Sequence, residues 1–165
     1  MHNSRNAYGQ KRSWQPREMQ MLTEWLVKTQ KGKRWLTRVR LGSPTPSVPR
    51  PDMSPEERAM IGSWRRWADA VILEKDQVTI VEAAIRPDPG KIGQLELYAK
   101  LFEHTPELSP WRGARVQLLL LYAIEDPATI MLAREKGILA VEYKPDWLPA
   151  YLDLLMPRER RGSRL

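Results

Sequence analysis

The chain has no cysteine among its 165 residues, which excludes a disulfide framework, a thiolate zinc site and a cysteine nucleophile. Two histidines, His2 and His104, are too few to build a histidine zinc centre. No apolar run approaches the roughly 20 residues that span a bilayer, and the longest, Leu118 to Ile124, is strand-sized. No signal-peptide pattern precedes the first periodic segment. The expectation is therefore no membrane partner and an intracellular setting, either the cytoplasm or a virion assembled inside a cell. Walker A, Gly-x-Ser-x-Gly and Gly-x-Gly-x-x-Gly patterns are all missing, and Gly90 with Gly93 is too little glycine for a phosphate cradle.

Acids are scarce at both ends. Arg5, Lys11, Arg12 and Arg17 face none in the first seventeen residues, and the run from Lys28 to Arg40 carries six cations without one. The tail sets Arg158, Arg160, Arg161 and Arg164 against Glu159 alone. The formal net charge is +7. The acids gather in the middle, at Asp69, Glu74, Asp76, Glu82, Asp88, Glu96, Glu103 and Glu107. Basic flanks around an acidic centre fit phosphate contacts outside and a cation site inside, with DNA as the partner. The plainer reading, solubility with basic disordered ends, also accounts for the pattern.

Length and an apolar fraction of 42% suit one folded domain with a real core. Residues 1–15 read as a basic arm, 16–156 as the domain and 157–165 as a basic tail. Pro16 opens a helix to about Gln30, with Met19, Leu22, Trp25 and Leu26 on its apolar face. Lys33 to Leu41 alternates as a strand, with Trp35, Thr37, Val39 and Leu41 pointing one way and Leu36, Arg38 and Arg40 the other. The five prolines of residues 42–55 make a long loop. Ser54 caps a short helix from Glu56 to Trp64. Thr105 to Gly113 is a loop, Val116 to Ile124 a central strand, and Asp126 caps a helix that Gly137 stops. Ile138 to Tyr143 is a further strand, and Asp146 opens the last helix.

The centre of interest is the stretch from Arg65 to Phe102. An apolar strand carries Asp69, a turn at Glu74 to Asp76 follows, and a second apolar strand carries Glu82. Strand alternation puts Trp67, Asp69, Val71 and Leu73 on one face, and Val78, Ile80, Glu82 and Ala84 on one face of the next. A Pro-Gly turn then opens a helix on which Lys91, Gln94 and Tyr98 form a stripe beside the packing face of Ile92, Leu95, Ala99 and Phe102. Acids inside apolar strands are costly unless a cation sits beside them, and a pair of them suits a hydrated Mg²⁺.

This layout, over Met19 to Ile124, resembles the PD-(D/E)XK nuclease superfamily. The resemblance implies an α/β fold with a restriction-endonuclease-like core, a mixed sheet of about five strands flanked by helices. It implies a metal-dependent DNA endonuclease with Asp69 and Glu82 as catalytic and metal-binding acids and the Ala83 carbonyl as a further ligand, using Mg²⁺ or Mn²⁺. Glu18 on the first helix is either another metal ligand or a first-turn acid suited to the helix dipole. The lysine position of the motif holds Ala84. Lys91 is the replacement candidate, with Gln94 beside it and Arg86 as a second choice, and a solvated Lys91 in a degenerate site is the competing reading. Arg38, Arg40, Arg65, Arg66, Arg86 and Tyr98 are the expected DNA contacts, and Trp64 and Trp67 are candidates to stack on bases. The alternative is a nuclease-fold subunit that has lost chemistry and binds DNA in a phage particle or other nucleoprotein assembly, as a homo-oligomer or part of a larger complex.

Overall fold

The computed structural model describes residues 16–46, 50–63 and 65–155. The expected basic arm and tail, residues 1–15 and 157–165, and Trp64 lie outside them. Along the chain come α1 (Pro16–Thr29), β1 (Arg34–Leu41), α2 (Pro55–Ser63), β2 (Arg66–Leu73), β3 (Gln77–Ala84), α3 (Pro89–Phe102), β4 (Arg115–Tyr122), α4 (Pro127–Glu135), β5 (Leu139–Glu142) and α5 (Leu148–Leu155). A 3₁₀ helix, Pro106–Trp111, occupies what the two prolines suggested was plain loop. Proline at a first helical position and a tight three-residue turn are compatible, because the missing N–H would have no partner there.

The strands lie in chain order, β1-β2-β3-β4-β5. β1, β2 and β3 form an antiparallel meander, whereas β4 runs parallel to β3 and β5 parallel to β4. The crossovers through α3 and α4 make the parallel pairs possible. The fold is thus α/β, a mixed five-stranded sheet with helices on both faces. One core layer joins Ile92, Leu95, Tyr98 and Phe102 of α3 and Ile130 and Ala133 of α4 to Val71, Val78, Ile80 and Leu120. The other joins Met21, Leu22, Trp25 and Leu26 of α1 and Leu148 of α5 to Ala70, Ile72, Val81, Ala83, Leu119 and Leu121. β3 and β4 serve both layers, which is why their sequences read as nearly unbroken apolar runs rather than alternating ones.

Local signals set the element ends. Ser54 and Glu57 form a reciprocal capping box at α2, the Glu57 N–H on Ser54 Oγ at 3.1 Å and the Ser54 N–H on Glu57 Oε2 at 2.9 Å. Asp126 caps α4 by accepting from the N–H and hydroxyl of Thr129. Gly137, at φ +69°, closes α4 in the left-handed region that costs glycine little. No helix among the described residues is long and apolar enough to cross a membrane.

Candidate functional site

Arg38 on β1 has φ +51°, a left-handed conformation inside a strand. The β1–β2 register is constant, pairing Thr37 with Ala70 and Val39 with Ala68, but the facing residues Arg38 and Asp69 drop out of the ladder. The side-chain faces invert across this point. Trp35 packs in the α1 layer while Val39 and Leu41 belong to the α3 layer. On β2, Ala70 and Ile72 face α1, and Ala68 faces α3. The expected common faces, Trp35, Thr37, Val39 and Leu41 on β1 and Trp67, Asp69, Val71 and Leu73 on β2, are therefore corrected: alternation needs unbroken extended backbone, and the faces invert across the Arg38–Asp69 pair.

β2 pairs with β3 only from Ala70↔Val81 to Leu73↔Val78. Beyond Ala70 it leaves β3, and carboxylates meet the backbone N–H groups it has abandoned. The Ala83 N–H donates to Asp69 Oδ2 at 2.9 Å, and the Ile85 N–H donates to Glu18 Oε1 at 3.2 Å. Alternate residues of a strand present their N–H groups to the same edge, so Asp69 from β2 and Glu18 from α1 line up along β3. Glu82 lies one residue before Ala83 on β3, on the face toward α3, where it meets Lys91.

Lys91 completes the group. Asp88 caps α3 by accepting from the Gly90 N–H at 2.7 Å, with Pro89 at the first helical position. A Cβ on residue 90 would stand 2.8 Å from that carboxylate oxygen, so any other residue there would push the Asp88 side chain aside. The turn places Lys91 at the helix start, where the dipole disfavours a cation. Its Nζ donates to Glu82 Oε1 at 2.7 Å across a largely buried contact, the two side chains 22% and 5% exposed. The other oxygen, Glu82 Oε2, is buried without a hydrogen-bond partner.

The charges do not balance. Burial, and next the neighbouring Asp69, push the Glu82 carboxyl up to about 7 despite the Lys91 ammonium. Burial also raises Asp69, opposed by the Ala83 N–H and the charges of Lys91 and Arg38, and it raises Glu18. Burial works against the Lys91 ammonium, but Glu82, Asp69 and Glu18 together outweigh it and hold its pKa above the ordinary lysine value. Three acids against one buried lysine make a site that gains from one more positive charge.

Whether a divalent cation fits can be judged from the donors. Asp69 and Glu82 each have one oxygen held by a donor, and the second oxygen of Glu82 is an orphan. That suits a Mg²⁺-type ion bound by one or two carboxylates and water. It does not suit a protein cage, because the described residues hold no set of three or more acids or histidines arranged around one ion. Glu18 belongs to the electrostatic surroundings through the Ile85 N–H. Ala83 contributes its N–H to Asp69.

Other candidates separate into those the fold consumes and those it leaves outside. Arg65, expected on DNA, has a side chain only 7% exposed and clamps Glu107 through two bonds of 2.6 Å. That bond pair pulls the Glu107 carboxyl down to about 2. Tyr98, expected on DNA, is 4% exposed, and its hydroxyl donates to the Trp67 carbonyl at 2.8 Å. Both side chains are held inside the fold, Arg65 by Glu107 and Tyr98 by the β2 backbone. Gln94 is exposed and lies outside the hydrogen-bonded cluster among the described residues. Arg86 points to Asp126 at 3.6 Å, is largely exposed, and does not pair with Glu82 as the second-choice cation would. Ala84, two residues after Glu82 on β3, is buried at 1% exposure. Arg38, Arg40 and Arg66 are exposed. Asp88 was missed, although aspartate before Pro-Gly at a helix start marks a cap. No family model matches the chain, and no curated protein matches it.

Proposed function

We propose that the protein is a metal-dependent DNA endonuclease of the PD-(D/E)XK type, with Asp69 and Glu82 holding a divalent cation and Lys91 in place of the motif lysine. The observation that carries this reading is the 2.7 Å contact of Lys91 with Glu82 beside Asp69, at the point where β2 parts from β3. The element order supports it, with a helix, a three-stranded meander, a helix and a parallel strand in sequence, α2 being inserted after the first strand. When bound, the cation would polarise the phosphate and make water a better nucleophile at neutral pH. Lys91, held at the site by Glu82, supplies positive charge where the phosphate becomes more negative. Asp69 is fixed by the Ala83 N–H and keeps its second oxygen for the ion.

A plasmid-nicking assay with Mg²⁺ or Mn²⁺ against EDTA tests it. Wild type nicks only with metal, and Lys91→Ala loses on the order of 10²–10³ in rate, as for loss of one oxyanion donor. Calorimetric titration of Mn²⁺ gives heat with wild type and with Lys91→Ala, and none with Asp69→Ala. Equal heats in wild type and Asp69→Ala, together with no nicking, would remove the reading. One observation favours the second reading, a DNA-binding protein without chemistry: Glu82 Oε1 is already occupied by Lys91. DNA binding with no nicking under either metal selects it.

A further inference from the structure

Past the Arg38–Asp69 inversion, β1 and β2 continue without β3 as a two-stranded ribbon, Val39↔Ala68, Arg40↔Trp67 and Leu41↔Arg66. Val39, Leu41 and Ala68 turn into the α3 layer. Arg40 and Trp67, which alternate with them, face away from it. Trp67 is 48% exposed, unusual for a residue with so large an apolar ring, and the Arg40 guanidinium lies 4.6 Å from the ring centroid. The backbone beneath the ring is fixed from the other side by the Tyr98 hydroxyl on the Trp67 carbonyl. Exposed Arg38 and Arg66 lie at either end of the ribbon. Glu107, the acid whose charge faces Arg40, is clamped by Arg65.

A rigid half-open indole with cations around it is a stacking platform for a nucleobase. Arginine contacts phosphates in any nucleic acid, but an aromatic face offers nothing to a base sealed in a duplex stack. Trp67 and Asp69 lie two residues apart on one strand, about 7 Å along it. We infer that Trp67, backed by Arg40, binds an unpaired base of a single-stranded or locally opened nucleic acid next to the Asp69–Glu82 site. The inference rests on the nucleic-acid reading above, but it is tested without metal or cleavage.

The test measures anisotropy of a labelled oligothymidylate and of a fully paired duplex of equal length, both in EDTA. Wild type binds the single strand more tightly. Trp67→Ala weakens that binding by about tenfold or more, the lower range of one base–aromatic stack, and leaves duplex binding unchanged, whereas Trp67→Tyr keeps most of the affinity. Thermal melting checks folding, and if Trp67→Ala does not fold, Trp67→Leu, which lacks a π-face, takes its place with the same expectation. A preference for duplex, or single-strand affinity that survives the loss of the ring, overturns the inference. Single-strand binding through Trp67 without nicking would sustain it while removing the nuclease. Nicking by wild type, together with single-strand affinity that survives Trp67→Ala, would do the reverse.

Discussion

Lys91 and Arg65 show how differently two cations in one chain can be used. Lys91 reaches a buried acid that retains an unsatisfied oxygen, whereas Arg65 makes a planar, two-bond clamp on Glu107. The first contact leaves negative charge in excess and has the character of a site. The second neutralises its partner and has the character of a brace between the start of β2 and the 3₁₀ helix. The Glu107 carboxyl, ordinarily near 4.5, is held at about 2, so its stabilising effect is present above 4.5 and is lost as pH falls through about 2. Glu107→Gln should therefore lower the melting temperature at pH 7. The cost is about 1–2 kcal/mol, discounted because Glu107 is mostly solvated. Near pH 2 the variant and wild type should converge. A constant difference from pH 7 to pH 2 would show that shape, rather than charge, matters at position 107.

At the scale of elements, the unusual component is the β1–β2 pair. A non-glycine residue at positive φ costs roughly 1–2 kcal/mol, and Arg38 carries that cost within a strand. What it achieves is local: the ribbon beyond it turns its apolar side to α3, and β2 swings off β3 and releases Asp69 toward the Ala83 N–H. Arg38→Gly and Arg38→Val remove the same charge, so their difference isolates the backbone. The glycine variant should be more stable by about 1–2 kcal/mol in urea unfolding, because a β-branched residue tolerates positive φ worst. Valine stabler than glycine would mean that ordinary strand propensity governs the position, and the inversion would need another cause. α2 is the opposite kind of element. It has a sound capping box and no buried residue, so its sequence makes a helix that the core does not use.

For the whole molecule, the sheet divides the core into two layers, and β4 contributes to both. Leu120 and Leu121 are each fully buried, one toward α3 and the other toward α1. Replacing either with alanine should cost about 2–5 kcal/mol, a large part of the roughly 5–15 kcal/mol that holds such a domain together. Both layers share β3 and β4, so each variant should shift a single urea transition seen alike by far-UV circular dichroism and tryptophan fluorescence. A second transition in one variant alone would mean that the layers unfold separately.

Much of this was legible in the chain. Periodicity, proline and glycine placement, and caps at Ser54 and Asp126 were local, and local chemistry settles them: the helices, the five strands and the order of elements follow from residues within a few positions of one another. The acids Asp69 and Glu82 stood out because desolvation makes a carboxylate in an apolar strand conspicuous anywhere. Tertiary structure decided the rest. Arg65 and Tyr98 looked like surface contacts, yet their partners, Glu107 and the Trp67 carbonyl, lie 42 and 31 positions away. Strand alternation could not reveal the inversion, since a single left-handed residue in β1 resets the faces of two strands. Lys91 was placed on the correct helix by its sequence, but only the packing of α3 on β3 brought its ammonium to Glu82. A buried charge is governed by what the fold sets beside it, and neighbours in space are not neighbours along the chain.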